Sequence, residues 1–431
     1  MTTSLKLRKG FSFDEAILMT TLSKYAYDVF QYDDSSVDDV ELKTVYQALY
    51  KNQGWQLVHT IRNDQANTRG LILKNTQSGV AHQYAIAFRG SAGIDKGAVN
   101  LDNVVSDVDW KLTDYGSLSV QRAKVVRGFH LAFESVADEI QCFFRTLRGE
   151  LKSADLRYLH DLPPLRKFAC ITAMIDAGAI LLGTEFEQQT QDLIAKVLAD
   201  GEVDNDEELE KIFQFVEEEL VSKQSPLTET IEVWSTGHSL GGSMSELAAL
   251  ALRRWFGSVA SGGLLIKVYA IAACKIGNQA FVDFYNQQIG AELSYRIENT
   301  LDNIPTIPLN PPLPISAIAP EGLQIGNFFI GEYANGGEAI TVTGFGSGQS
   351  ASISFGGLFS IPFSVPFPHS PETYIELLQE QQKFWSQLAR PVKDIARPFL
   401  VEILRDENKI DVELDRNTSS VHSNEDITII K

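Results

Sequence analysis

The sequence predicts an α/β fold in which a central, mostly parallel sheet carries helices on both faces. Two apolar runs, residues 231–234 and 264–273, are typical of strands that are buried on both faces. The first run leads through a glycine-flanked serine, Ser239, into residues 244–252, whose apolar positions recur with helical spacing. This order of strand, tight turn and helix is the strongest indication of the fold class.

Composition limits the kind of partner that the chain can have. Its 431 residues are 44% hydrophobic, which is ordinary for a globular protein and allows one large domain with insertions or two to three small ones. The formal net charge of -19 argues against nucleic acid and strongly anionic membranes as partners, because a field of that sign repels phosphate. Neutral or zwitterionic substrates are therefore favoured.

Cysteine usage and the first residues suggest where the chain resides. Cys142, Cys170 and Cys274 are too few and too scattered for a disulfide framework or a zinc site, so we expect core thiols in a reducing compartment. Basic residues near the start are not followed by an apolar run, which predicts no cleaved signal peptide. We expect a cytoplasmic protein, or one that is exported without a cleaved leader.

The region before the serine predicts a helix and several strands. Ser12 to Glu15 form a capping box at the start of a peripheral helix. Residues 55–61, 70–73 and 84–88 have the composition of strands, and the third ends in Arg89-Gly90-Ser91. The polar, glycine-containing segment that follows, residues 92–103, is a candidate lid.

Between residues 145 and 226 the composition changes, which indicates a helical insertion into the core domain. Residues 168–183 are strongly apolar except for Asp176, and we expect a helix buried against the body rather than one in contact with lipid. Residues 200–219 are acidic but interrupted by apolar positions, which predicts an amphipathic helix with a solvated face.

Ser239 is the candidate nucleophile. In the pattern G-x-S-x-G, glycines two residues before and after the serine let the strand and helix pass closely, and Gly237 and Gly241 meet that need. The amide of Leu240, at the helix N-terminus, is the natural donor to an oxyanion. A second donor is expected after an earlier core strand, where Ser91 is the candidate. The alternative is a serine that merely caps the helix.

Two residues later in the chain could complete a catalytic triad. Asp302 follows a predicted strand at residues 293–297, which places it on the same sheet edge as Ser239, although an aspartate before proline often only starts a turn. In α/β-hydrolase order the base follows the acid, which leaves His369 and His422. His422 lies in a charged tail, so His369 is preferred. Residues 328–333 and 339–343 are predicted to pair as a hairpin.

Taken together, these motifs resemble the class 3 lipase family, the fungal-type triacylglycerol lipases of the α/β-hydrolase superfamily. The resemblance covers roughly residues 13–378 if the insertion is set aside. The residues that carry it are Phe88-Arg89-Gly90-Ser91, Arg127-Gly128-Phe129, Gly237 to Gly242, Gly277-Asn278, Asp302-Asn303-Ile304-Pro305 and His369. Departures are Val126, where the family often has histidine, and Ala273-Cys274-Lys275, where Ser-Pro-Arg is usual.

The resemblance implies an α/β-hydrolase fold and an assignment for each site residue. Ser239 would be the nucleophile, Asp302 the triad acid, His369 the base, and Ser91 with Leu240 the oxyanion hole. The segment after Ser91 would be a lid.

The expected reaction is hydrolysis of lipid esters, with triacylglycerol or phospholipid as substrate, possibly at a lipid-water interface. No metal, organic cofactor, nucleic acid or transmembrane span is expected. The alternatives are an esterase for soluble short-chain or aromatic esters and a catalytically silent binding scaffold. We expect a hydrolase domain over residues 1–400, with its insertion at about 145–226, and an acidic, flexible tail over 401–431.

Overall fold

A computed structural model provides the coordinates of the chain. It describes residues 7–30, 39–50, 53–77, 82–91, 108–116, 122–151, 158–197, 206–223, 229–258, 263–308, 323–325, 328–330, 332–344, 351–355, 359–363 and 368–387. The candidate lid at 92–103 and the tail at 401–431 lie outside the described residues.

Helices and strands alternate from β6 to β8, whereas the other described elements occur in runs of one type. The helices are α1 (Phe13–Phe30), α2 (Asp39–Tyr50), α3 (Arg127–Glu134), α4 (Ala137–Leu147), α5 (Pro164–Leu182), α6 (Thr184–Val197), α7 (Asp206–Lys223), α8 (Leu240–Phe256), α9 (Gln279–Ile289) and α10 (Pro371–Gln387). The strands are β1 (Trp55–Asn63), β2 (Thr68–Asn75), β3 (Gln83–Phe88), β4 (Leu112–Asp114), β5 (Lys124–Val126), β6 (Glu232–His238), β7 (Leu265–Ile271), β8 (Ser294–Asn299), β9 (Leu323–Ile325), β10 (Phe328–Ile330), β11 (Glu338–Val342), β12 (Ala351–Phe355) and β13 (Phe359–Phe363).

A seven-stranded sheet in the order β1-β2-β3-β6-β7-β8-β11 forms the centre of the molecule. Strands β3, β6, β7, β8 and β11 run parallel to one another, whereas β2, near one edge, pairs antiparallel with both β1 and β3. The predicted fold class is therefore confirmed. The parallel strands also bring their carboxyl ends to one edge of the sheet, where ligand sites of open α/β sheets lie.

Helices cover both faces of this sheet. Consecutive residues of β6 point to opposite faces, so neighbouring side chains contact different helices. The Ser235 hydroxyl donates to the Ser245 carbonyl of α8 at 2.8 Å. On the other face, the Thr236 hydroxyl lies 3.0 Å from the Ser23 hydroxyl of α1. The strand that leads to Ser239 is thus fixed between two helices, and α10 packs beside α1.

The described part of the predicted insertion includes the helices α5, α6 and α7. The apolar helix predicted at 168–183 corresponds to α5, which packs on α4 and β1 and buries 8 of its 19 residues. Its one acidic residue, Asp176, accepts hydrogen bonds from His59 of β1 at 2.7 Å and from Lys43 of α2 at 2.5 Å. The other ring nitrogen of His59 lies 2.9 Å from a Glu139 carboxylate oxygen. The charge that interrupts the apolar run therefore attaches α5 to the body.

The described helices include none with both the length and the apolar character required to cross a bilayer.

Two expectations from the sequence need correction. Residues 328–330 and 338–342 do not form a hairpin: β10 pairs with β9, and β11 joins the central sheet parallel to β8. The glycines between them instead lie along the start of β8, where the Arg296 guanidinium donates to the Gly337 carbonyl at 2.7 Å. Helix α1 is also less peripheral than expected, because Glu15 is buried in an ion pair with Lys267 of β7.

Candidate active site

Ser239 occupies a strained turn between β6 and α8. Its backbone has φ 59° and ψ -128°, a left-handed conformation that is rare for any residue with a side chain. The Ser239 side chain makes no capping hydrogen bond to α8, and its hydroxyl, which is fully buried, has no hydrogen-bond partner among the described residues. The capping alternative is therefore wrong, and this hydroxyl is not engaged in holding the fold.

The glycines on either side of Ser239 are sterically required. A Cβ atom on Gly237 would lie 2.0 Å from the Gly241 carbonyl oxygen, and a Cβ atom on Gly241 would lie 2.5 Å from the Phe88 carbonyl oxygen. Both collisions are with backbone atoms, which cannot rotate away as a side chain can. Strand β6, helix α8 and the end of β3 can pack this closely only because both positions lack side chains, as the motif predicts.

Asp302 and His369 form a buried hydrogen-bonded pair. The His369 Nδ1 atom lies 2.6 Å from Asp302 Oδ2, and the two residues are 2% and 5% exposed, respectively. The other carboxylate oxygen, Oδ1, accepts from the Ile304 amide at 2.9 Å in the short turn after β8. With Nδ1 bound to the carboxylate, Nε2 is the ring nitrogen that can accept a proton, which is the tautomer that a general base needs.

Tyr374 and Asn299 hold this pair in place, although no sequence motif points to either residue. The Tyr374 hydroxyl donates to Asp302 Oδ2 at 2.7 Å and accepts from the backbone amide of Asn299 at 3.0 Å. Burial, together with the Asp302 charge, raises the pKa of Tyr374 well above its usual range, so the hydroxyl remains a donor. The Asn299 side chain also donates to the Pro368 carbonyl at 3.1 Å, next to His369. Only spatial proximity identifies these residues.

The end of β3 packs directly on the serine. A Cβ atom on Gly90 would lie 3.0 Å from Ser239 Cβ and 2.6 Å from the His238 carbonyl oxygen. Ser91, which follows, is 7% exposed. Leu240 is the first residue of α8, and amides in the first turn of a helix have no acceptor within that helix. Both candidate oxyanion donors are therefore in segments that adjoin Ser239.

The His369 ring packs against His238, the neighbour of Ser239 in the chain. The rings of His238 and His369 have centroids 4.5 Å apart, and His238 is the residue immediately before Ser239. Since the Ser239 hydroxyl forms no hydrogen bond within the described residues, its contact with the base is not closed in this structure. Catalytic hydrogen bonds are often long without substrate and tighten when substrate binds.

The described residues contain no cluster of three or more histidine, cysteine, aspartate or glutamate side chains that could hold a metal ion. Cys274 lies near Asp302, but burial raises the pKa of its thiol, which disfavours a reactive thiolate there. All three cysteines are buried free thiols, in agreement with the sequence interpretation.

The class of protein follows from this arrangement. A serine on a strained turn after a central parallel strand, with a buried histidine-aspartate pair supplied by later segments at the same sheet edge, defines an α/β-hydrolase. Comparison with known proteins then shows which family part of the chain resembles. Residues 189–311 match the family model described as lipase (class 3). This stretch, which holds Ser239 and Asp302, is similar to class 3 lipases, and the resemblance found in the sequence is confirmed.

A curated relative matches over a shorter stretch. The secreted mono- and diacylglycerol lipase 1 of Fusarium solani is 34% identical over 88 residues, which make up 20% of this chain and 24% of that protein. The match thus spans about a quarter of the relative's length.

Several solved lipase structures also resemble the chain. A triacylglycerol lipase described as having a serine protease triad at its catalytic centre is 17% identical, with a TM-score of 0.39, and the match covers 78% of this chain and 82% of that one. The lipase of Rhizopus microsporus var. chinensis is 14% identical with a TM-score of 0.38, covering 86% and 85%. Because these scores are low, the fold assignment rests on the strand order and the Ser239 turn described above.

Proposed function

We propose that the protein is a serine-dependent carboxylic ester hydrolase that acts on lipid esters through an acyl-enzyme formed on Ser239. The observation that carries the proposal is the Asp302–His369 pair at 2.6 Å, held beside a serine whose strained backbone and unengaged hydroxyl serve no evident structural purpose. The class 3 lipase match and the printed name of the Fusarium solani relative support a lipid ester as substrate.

In the proposed reaction, the Nε2 atom of His369 takes the proton of the Ser239 hydroxyl as that oxygen attacks the ester carbonyl. Asp302 holds the imidazole in the required tautomer and stabilises its charged form. The amides of Ser91 and Leu240 stabilise the oxyanion of the tetrahedral intermediate. His369 then protonates the departing alcohol, and a water molecule activated by the same histidine releases the fatty acid.

Access to the serine requires movement. Ser239, Asp302 and His369 are each 5% exposed or less, so an ester cannot reach the nucleophile unless a covering segment opens. The lid expected at residues 92–103 lies outside the described residues and stays a prediction. The finer alternatives for the substrate are triacylglycerol and phospholipid, and lid opening at a lipid-water interface would favour long acyl chains. The Fusarium solani relative is a secreted lipase, and this similarity favours export over a cytoplasmic location.

We also propose that residues 1–400 form one hydrolase domain, which includes the helical insertion at about 145–226. The burial of α5 against α4 and β1 supports this, because such a helix has no separate core of its own. Residues 401–431 would then be an appended acidic tail.

The test compares wild type with Ser239→Ala on nitrophenyl esters of increasing acyl length, and on emulsified triacylglycerol and phosphatidylcholine vesicles. We expect turnover that depends on Ser239 and that rises with chain length. Ser245→Ala is the matched control, because its hydroxyl lies in α8, the helix that follows Ser239, and donates to the Gly242 carbonyl at 2.6 Å.

Three outcomes separate the candidate functions. Loss of turnover in Ser239→Ala with retention in Ser245→Ala supports the proposed chemistry. Preference for short acyl chains, with no turnover of emulsions or vesicles, would indicate the soluble-ester esterase. No Ser239-dependent turnover of any ester would contradict the proposal and favour a silent scaffold.

A further inference from the structure

His238 connects the nucleophile strand to the loop that carries the base. It is the last residue of β6 and is fully buried. Its Nε2 atom lies 2.5 Å from the His369 carbonyl oxygen, so Nε2 must carry a proton and donate it to that acceptor. The two imidazole rings pack together with their centroids 4.5 Å apart. A buried side chain therefore holds the main chain of the base residue.

Tyr27 of α1 connects His238 to the segment that carries Ser91. Its hydroxyl lies 3.0 Å from His238 Nδ1. Because Nε2 is the protonated nitrogen, Nδ1 is an acceptor and the tyrosine hydroxyl is the donor. The same hydroxyl packs directly against Gly90, because a Cβ atom on Gly90 would lie only 2.2 Å from it. Gly90 immediately precedes Ser91, the candidate oxyanion donor.

Two consecutive hydrogen bonds thus run from Tyr27 through His238 to the His369 carbonyl, and the Tyr27 hydroxyl packs against Gly90 at the start of the oxyanion loop. We propose that Tyr27 and His238 are positioning residues for ester hydrolysis, which fix the base loop and the oxyanion loop relative to each other. This inference rests on the proposed function, because it assigns roles around the same serine. Neither residue touches the ester.

The geometry explains why such a connection would matter. Asp302 controls only the orientation of the His369 ring. The position of that ring depends on the main chain of the loop before α10. Buried side chains hold that main chain at two successive carbonyl groups, with Asn299 bound to Pro368 and His238 bound to His369. Catalytic groups must be held closely, since a misplacement of about 1 Å can cost about 10² in rate.

His238 is also suited to its place by its charge state. Burial lowers the pKa of His238 well below its usual range, so the side chain stays neutral. His369 becomes positively charged when it takes the serine proton, and a second cation packed against its ring would oppose that step. A neutral imidazole provides the hydrogen bond without the repulsion.

The experiment measures kcat and KM for a nitrophenyl ester with Tyr27→Phe, His238→Phe and His238→Gln. We expect His238→Phe to lower kcat by about 10- to 100-fold, in line with the cost of misplacing catalytic groups, while KM changes much less. His238→Gln should recover a substantial part of kcat, because the glutamine amide can donate to the His369 carbonyl. Tyr27→Phe keeps the ring and should give an intermediate loss.

Tyr46→Phe is the matched control. The Tyr46 hydroxyl donates to the Trp55 carbonyl at 3.1 Å, and the residue is as buried as a core side chain but lies in α2. Removal of this hydroxyl should lower the melting temperature and leave kcat unchanged. If Tyr27→Phe likewise lowers the melting temperature and leaves kcat unchanged, the positioning role is wrong.

The remaining outcomes distinguish this inference from the proposed function. Wild-type kcat in Tyr27→Phe, or no recovery in His238→Gln relative to His238→Phe, overturns the positioning role even if Ser239→Ala is inactive. Ester turnover that survives in Ser239→Ala overturns the proposed function itself. If His238→Phe fails to fold, Tyr27→Phe and His238→Gln still decide the question.

Discussion

The buried group of His59, Asp176 and Glu139 should make the stability of the protein depend on pH in a defined window. Burial alone would lower the pKa of His59, but its hydrogen bonds to Asp176 and Glu139 outweigh this effect and raise the pKa to about 9. The unfolded chain would protonate the same side chain at about 6.5. Folding therefore favours the charged form of His59.

The sign and the magnitude follow from this difference. Stability from His59 is fully present below pH 6.5, where both states are protonated, and is lost as the pH rises through about 9. At about 1.4 kcal/mol for each tenfold change in proton affinity, the loss amounts to about 3 kcal/mol. That is a large fraction of the about 5–15 kcal/mol by which folded proteins are typically stable.

The assay is chemical denaturation of wild type and His59→Gln between pH 6 and 10, followed by circular dichroism. The difference between the two unfolding free energies removes groups that titrate in both proteins. We expect this difference to be largest near pH 6.5 and to shrink by about 3 kcal/mol towards high pH. His160→Gln is the control, because the His160–Glu210 pair is substantially exposed and should contribute less than about 1 kcal/mol. Parallel curves for wild type and His59→Gln would refute the reasoning.

Three further predictions concern the site and its supporting helix. Tyr374→Phe removes the donor to Asp302 Oδ2 and should lower kcat about tenfold with little change in KM, because a hydrogen bond to a charged group contributes about 1.5–3 kcal/mol; an unchanged kcat would contradict this. Gly237→Ala places a methyl group against the Gly241 carbonyl and should abolish activity and lower the melting temperature; an active, stable variant would show that the turn can relax. Burial raises the pKa of Glu246 to about 8, so wild type should lose stability as the pH rises from about 4.5 to 8, and Glu246→Gln should remove this loss; identical pH dependence of urea unfolding would count against it.

How much of the molecule the sequence could predict depends on the distance along the chain over which each feature is determined. The Ser239 turn was predictable because its strand, glycines and helix are contiguous, and the central strands were predictable from apolar runs. The paired Asp302 and His369 followed only from chain order, because nothing local to either residue indicates that they meet.

Features set by distant contacts were not predictable. Tyr27 lies 211 residues before His238, to which it donates, and Tyr374 lies 72 residues after Asp302. Asp176 looked like an interruption in an apolar helix, because its partner His59 belongs to a strand 117 residues earlier. The false hairpin has the same origin: the glycine pair before β11 was locally consistent with a turn between paired strands, but β8 was the better partner.

The ion pair between Glu15 and Lys267 bears on how far the polypeptide could be trimmed. Lys267, in the middle of β7, also donates to the main-chain carbonyls of Arg8 and Gly10 at 2.7 and 2.6 Å. Deletion of the first fifteen residues would strand an ammonium group inside the sheet without the acceptors that neutralise it, at a cost of several kcal/mol. The stretch that matches the class 3 lipase model, 189–311, would therefore not be stable and active by itself. An excised fragment would lack both the N-terminal residues that bind Lys267 and the residue His369.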